Sequence, residues 1–99
     1  MQVELNTPTA ANAYTLTSAN DIPDRDPMDW SLQGSHDGQN WETLDVRSGE
    51  EFTSRFQQRV FWIGNTTEFK FYRLNVQKNR SGGDFQLADW SVNKGTETN

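Results

Sequence analysis

The sequence predicts an all-β protein, an antiparallel β-sandwich of jelly-roll type, and three observations carry that prediction. About seven short runs alternate polar and apolar residues with the two-residue period of a half-buried strand. Clusters of Gly, Asn, Asp and Pro separate the runs, as turns do between the strands of a sandwich. The four Trp, six Phe and two Tyr carry large areas apiece, so few side chains can build a small core although only 32% of the chain is hydrophobic.

Residues 2–5, QVEL, set Val3 and Leu5 on one face, and Asn6, Thr7 and Pro8 are expected to stop that strand. Residues 13–17 resume the alternation with Tyr14 and Leu16 inward. Over residues 20–29 runs an acidic loop, in which Pro23 and Pro27 bias Ile22 and Asp26 away from helix and predict an ordered, extended path. A hairpin follows. Trp30 and Leu32 face inward on its first arm, Trp41 opens the second, and the Asp37-Gly38 pair suits a turn needing positive φ. Trp41 and Thr43 share one parity and Leu44 and Val46 the other, which predicts a bulge near Thr43.

Residues 47–57 fit a single helical turn or an irregular loop. Ser48 and Glu51 have capping-box spacing, and Phe52 and Phe56 stand four apart, as on one helical face. The run VFWI at residues 60–63 must start a strand, and GNTT at residues 64–67 is a turn. Residues 69–76 carry the strongest strand signal, with Tyr72, Leu74 and Val76 on one face. Phe71, Arg73 and Asn75 make the other face half polar, so it is expected to border a site or solvent. Residues 77–85 form a second long loop, Ala88, Trp90 and Val92 close the sheet, and residues 94–99 read as a frayed tail. All four Trp fall at inward parities and are expected in the core, with Phe61 and Ile63 competing against Trp62 for that face.

A chain of 99 residues makes one domain, residues 1–99, with no repeat or linker. No cysteine is present to staple it. The net charge of −5 argues against nucleic acid and anionic membrane surfaces, and no apolar run is long enough for membrane insertion. Neutral, polyhydroxylated partners meet no such objection.

The run SANDIPDRDPMDWSLQGSHDGQNW at residues 18–41, the strand FYRLNV at residues 71–76 and the ending QLADWSV at residues 86–92 resemble the coagulation factor V/VIII type C, or discoidin, domain. Within that group they are most similar to the family 32-type carbohydrate-binding modules of secreted glycoside hydrolases. The matches cover nearly the whole chain in the expected order. The resemblance implies a galactose-binding-like jelly roll, a non-catalytic module that holds one or two sugar units through loop residues, and a secreted or cell-surface setting with any leader ahead of Met1. VELN at residues 3–6 resembles the family's VDLG-type strand, so the family's first strands and an early Asp-Gly loop would precede Met1. The chain is then either a trimmed piece or a minimal version, and is expected to be a fragment of a larger protein. A sheet edge left unpaired would invite self-association. The alternative is a discoidin-type adhesion or lipid-surface module, for which Met28 is the one candidate apolar spike.

Sugar recognition needs planar polar groups that make paired hydrogen bonds to vicinal hydroxyls, with a flat aromatic against C–H faces. Asp24 and Arg25 in the first loop, and Asn79, Arg80 and Phe85 in the second, supply those types, and the family places its ligand at the loop tips of one sandwich end. Against this, Arg25 can lock its own loop by pairing with Asp26, and Phe85 can pack in the core. Asp21, Asp24, Asp26 and Asp29 put four carboxylates within nine residues, hard ligands suited to calcium, without the glycine and distal glutamate of an EF-hand. The resemblance implies a structural calcium site in many relatives, of whose ligands only the acidic residue near the C-terminus has a match here, at Asp89. Nothing marks Asp24 or Asp26 as a glycosidase acid, and His36 has neither a metal-sharing partner nor a serine with activating context. The reading is of a binding module and not of an enzyme.

Overall fold

The computed structural model describes residues 1–20, 23–79 and 85–95, the side chain of Asp24 excepted. Seven strands follow one another: β1 (Gln2–Thr9), β2 (Ala13–Thr17), β3 (Pro27–Ser35), β4 (Glu42–Arg47), β5 (Gln58–Trp62), β6 (Phe69–Asn79) and β7 (Asp89–Asn93). They pair antiparallel in a four-stranded sheet of order β1-β6-β3-β4 and a three-stranded sheet of order β5-β2-β7. This is the jelly-roll sandwich that the alternation predicts, and no α-helix occurs among the described residues.

The central strands carry the core. Tyr14 and Leu16 of β2 meet Trp30 and Leu32 of β3 and Leu74 of β6, with Phe61 and Phe52 packed beside them. Phe61 stacks on Tyr14 at 5.0 Å and presents an edge-to-face contact to Trp30 at 5.3 Å, the geometries aromatic quadrupoles favour. The polar ends of these rings are satisfied. Trp30 Nε1 donates to the Tyr14 hydroxyl at 2.9 Å, and that hydroxyl donates to Asp45 Oδ2 of the opposite sheet at 2.5 Å. Burial, and then the bond to Asp45, hold the Tyr14 hydroxyl far above its ordinary range, so it stays protonated and able to donate. A smaller cluster of Ala11, Phe69 and Tyr72 fills the other end, where the Tyr72 hydroxyl donates to Thr9 O and accepts from Ala11 N.

Several sequence expectations need correction. Trp62 is exposed, because Phe61 takes the inward position of β5. Trp41 and Trp90 are half-buried, and only Trp30 is fully enclosed. Pro8 does not end β1, which continues to Thr9 with a register break; β1 is an edge strand, where a missing N–H costs no ladder bond. Residues 20–29 are not wholly extended, since Pro23–Arg25 form a 3-10 turn and Pro27 opens β3. The bulge near Thr43 is present: Leu32 pairs with Asp45 and Gln33 with Thr43, leaving Leu44 as the extra residue.

Candidate functional site

The register brings three connections to one end of the sandwich. Thr17, which closes β2, lies opposite both Gln58 of β5 and Asp89 of β7, and Pro27 at the start of β3 lies opposite Asn79 at the end of β6. Residues 18–26, 48–57 and the segment before β7 therefore neighbour one another. Backbone bonds tie them: Gln86 N donates to Arg25 O at 2.9 Å, Ser18 N to Gln57 O at 2.9 Å, and Ala88 N to Thr17 O at 2.9 Å. Of the second loop expected at residues 77–85, residues 77–79 instead extend β6 and residues 80–84 lie outside the described residues; residues 48–57 and the segment from Phe85 lie against the first loop.

The middle loop contributes two residues that sequence reasoning missed. Arg55 reaches across to Asp26, with Nη1 to Oδ1 at 2.9 Å and Nη2 to Oδ2 at 2.5 Å, and also donates to Ala19 O at 3.2 Å. This fork-to-carboxylate pair, largely shielded from water, pins the first loop. Asp26 is thus held by Arg55 and not by Arg25. Ser18, fully buried, clamps the following turn by donating to Ser54 O and accepting from Gln57 N, each at 2.9 Å. Phe56 is consequently forced into the left-handed region, φ 53°, and its ring is 59% exposed while Phe52 is buried. The two phenylalanines do not share a face. A non-glycine residue held at positive φ costs about 1–2 kcal/mol, a strain that clusters at functional loops.

Among the residues named from sequence, Arg25 is exposed on the 3-10 turn, and its guanidinium has no hydrogen-bond or ion-pair partner among the described residues. Asn79 is buried, 3% exposed, with its side chain engaged, so it lies beneath the loops and not at their tips. Phe85 is half-buried at the start of the segment leading into β7. Arg80 and the side chain of Asp24 lie outside the described residues, as does Asp21. Asp89 is exposed at the start of β7, and no group of three or more acidic, His or Cys side chains fit to hold a metal occurs among the described residues. Next to Arg25, Gln86 Oε1 is sealed from solvent and accepts no hydrogen bond, an orphan acceptor that nothing in the sequence singles out. A hollow against this loop, between Pro23, Asp26, Met28, Glu50, Glu51 and Phe52, holds about 30 Å³, room for roughly one water.

No family model matches the chain. A search of curated proteins finds a peptide-N(4)-(N-acetyl-β-glucosaminyl)asparagine amidase of Arabidopsis thaliana, 41% identical over 81 residues, which are 77% of this chain and 11% of the amidase. Among solved structures, the F5/8 type C domain of a Bacteroides fragilis protein superposes with a TM-score of 0.75 at 14% identity, covering 92% of this chain and 61% of that one. A CBM32 domain of Clostridium perfringens, solved in complex with GalNAc-β-1,3-galactose, superposes with a TM-score of 0.70 at 14% identity, covering 93% and 58%. The chain thus has the fold of the F5/8 type C, discoidin-like domains, and it spans about 60% of the length of those two solved chains.

Proposed function

We propose that the protein is a non-catalytic carbohydrate-binding module whose site is the three-loop end of the sandwich. The observation that carries the reading is the placement of an exposed, strained Phe56 on the loop that Arg55 ties to Asp26, next in the chain to the open guanidinium of Arg25. A flat apolar ring and a planar donor at one end of the sandwich suit a pyranose, with C–H groups on one face and hydroxyls at the rim. Arg80 would add a second guanidinium, and Asp24 and Phe85 would complete the rim. The fold neighbour solved with a disaccharide supports this reading, as does the relative whose name denotes action on a sugar-asparagine linkage. Contacts to one or two sugar units at a surface this shallow give weak affinity, which becomes useful when the module is joined to an enzyme acting on glycans or presented in several copies. A secreted or surface setting fits such a role.

A glycan array tests this directly. Phe56→Ala and Arg25→Ala should each remove detectable binding: the first strips away the apolar platform, the second leaves sugar hydroxyls without their donor at a cost of about 1–3 kcal/mol, and the starting affinity is low. The melting temperature should stay within about 1–2 °C, which separates lost contact from lost fold. His36→Ala should bind as wild type, since its ring lies 4.8 Å from Phe69 at the other end of β3. If both loop variants retain binding, the three-loop site is wrong. Phe56 also suits the second reading, an apolar spike for a protein or lipid surface; binding to anionic liposomes without any array signal would favour that class. Self-association would use β1 and β7, the sheet edges that flank a seam of Val3, Leu5, Trp90 and Val92.

A further inference from the structure

The outward face of the four-stranded sheet carries a second arrangement, remote from the three loops. Arg73 of β6 points away from the Tyr72 and Leu74 side of its strand and lies between Gln2 of β1 and Gln33 of β3 in the sheet register. Its Nε donates to Gln33 Oε1 at 2.5 Å, and Gln33 Nε2 in turn donates to Thr43 Oγ1 at 3.3 Å. The guanidinium lies 4.2 Å from the ring centroid of Trp41, which the Asp37 turn delivers to the start of β4. Two partners thus fix the plane of the cation while leaving both Nη groups uncommitted. No carboxylate among the described residues pairs with Arg73; the nearby Glu4 is taken by Lys70 at 3.2 Å. This is unusual on a chain of net charge −5, where acids outnumber bases by 14 to 9. Arg73 also lines a groove of about 360 Å³ with Met1, Gln2, Leu74 and Asn75, a volume within the roughly 300–1,000 Å³ of small-molecule sites.

We infer that this groove is a second ligand site, selective for a carboxylate-bearing sugar, with the Arg73 Nη edge receiving the carboxylate in bidentate fashion. A fork held flat by stacking and by an amide is preorganised for a planar anion, so little rotamer freedom is lost on binding. The amides of Gln2 and Asn75 offer donors and acceptors for the ring hydroxyls. The inference does not depend on the three-loop site and addresses a different sugar chemistry.

NMR titration of the whole chain with galacturonic acid, galactose and the methyl ester of galacturonic acid tests it. The acid should shift the Arg73 Nε–H, the Trp41 indole and the Gln33 amide saturably, and galactose and the ester should not. Arg73→Gln should weaken the uronate at least tenfold, and Arg73→Lys, which keeps the charge without the fork, should recover only part of the loss. Far-ultraviolet circular dichroism would confirm that both variants fold, and Gln33→Ala offers a milder test, expected to weaken uronate binding severalfold. Phe56→Ala and Arg25→Ala should leave these shifts unchanged, so failure of the loop site and failure of this one are distinguishable. Equal shifts with galactose, wild-type uronate affinity in Arg73→Gln, or no shift at millimolar acid would each overturn the inference.

Discussion

With Ser35 Oγ accepting from the N–H groups of Asp37 and Gly38, Asp37 organises the turn between β3 and β4. Its carboxylate accepts from Gln39 N and Asn40 N, each at 2.9 Å, from Asn40 Nδ2 at 2.8 Å, and from Ser35 Oγ at 3.0 Å, while Gly38 supplies the positive φ of 76°. The Asn40 and Gln39 N–H groups, the largest causes, hold the carboxyl well below the usual carboxylate range. A native value below the unfolded one gives stability that is complete above the unfolded value of about 3.9 and is lost as pH falls through the native value. Thermal melts between about pH 5 and pH 2 should therefore fall more steeply for the wild type than for Asp37→Asn. Parallel curves would show that the turn does not couple to the fold. The same turn delivers Trp41 to Arg73, so one carboxylate positions the ring on which that guanidinium rests.

At the scale of the element, β5 shows how neighbouring aromatics divide their roles. Phe61 is 3% exposed and lies against Tyr14 and Trp30, with the guanidinium groups of Arg47 and Arg59 at 5.0 and 4.9 Å from its ring. Trp62, next along, is 37% exposed on the opposite face. Phe61→Ala should cost about 3–5 kcal/mol, the range for emptying an aromatic site in a core. Trp62→Ala should cost under about 1 kcal/mol, as surface substitutions do. Chemical denaturation of the two variants checks this, and comparable losses would mean that Trp62 is covered in solution. The strand shows why parity read from sequence misplaced Trp62: four consecutive large apolar residues, VFWI, offer two self-consistent registers. Pairing with β2 selects one of them, setting Tyr14 opposite Phe61.

For the whole molecule, chelation is the sharpest solution test of the calcium expectation. With Asp26 committed to Arg55, the acidic loop has one fewer ligand to give, and EDTA should move the melting temperature by less than about 1–2 °C. A loss of several degrees would indicate a structural ion at Asp89 or in the loop. Sedimentation velocity at rising concentration tests the sheet edges, and Leu5→Lys should reduce any association by placing a charge in the β1–β7 seam. A dimer indifferent to that substitution would place the contact elsewhere.

The sequence by itself determined the class of fold, the inward positions of Tyr14, Leu16, Trp30, Leu32, Tyr72 and Leu74, the Asp37-Gly38 turn, the bulge beside Thr43, and the loop ahead of β3. Each follows from local chemistry: a period of two, a residue tolerant of positive φ, a change of parity. Arg25 was legible as a candidate because its planar guanidinium suits vicinal hydroxyls and the family resemblance places ligands at the loop tips, although pairing with Asp26 was an equal expectation. What only the tertiary structure decided is the third loop and its work. Arg55 is 29 residues from Asp26 and Ser18 is 39 from Gln57, so no local pattern announces that these pairs lock the loops together or that Phe56 is left outward. The same holds for Gln86 and for the joining of Arg73 to Gln33 and Trp41 across three strands. Side chains so far apart in the chain meet only after the sheets have set their register, and that register is fixed by burying the aromatic core, not by the polar groups it happens to bring together.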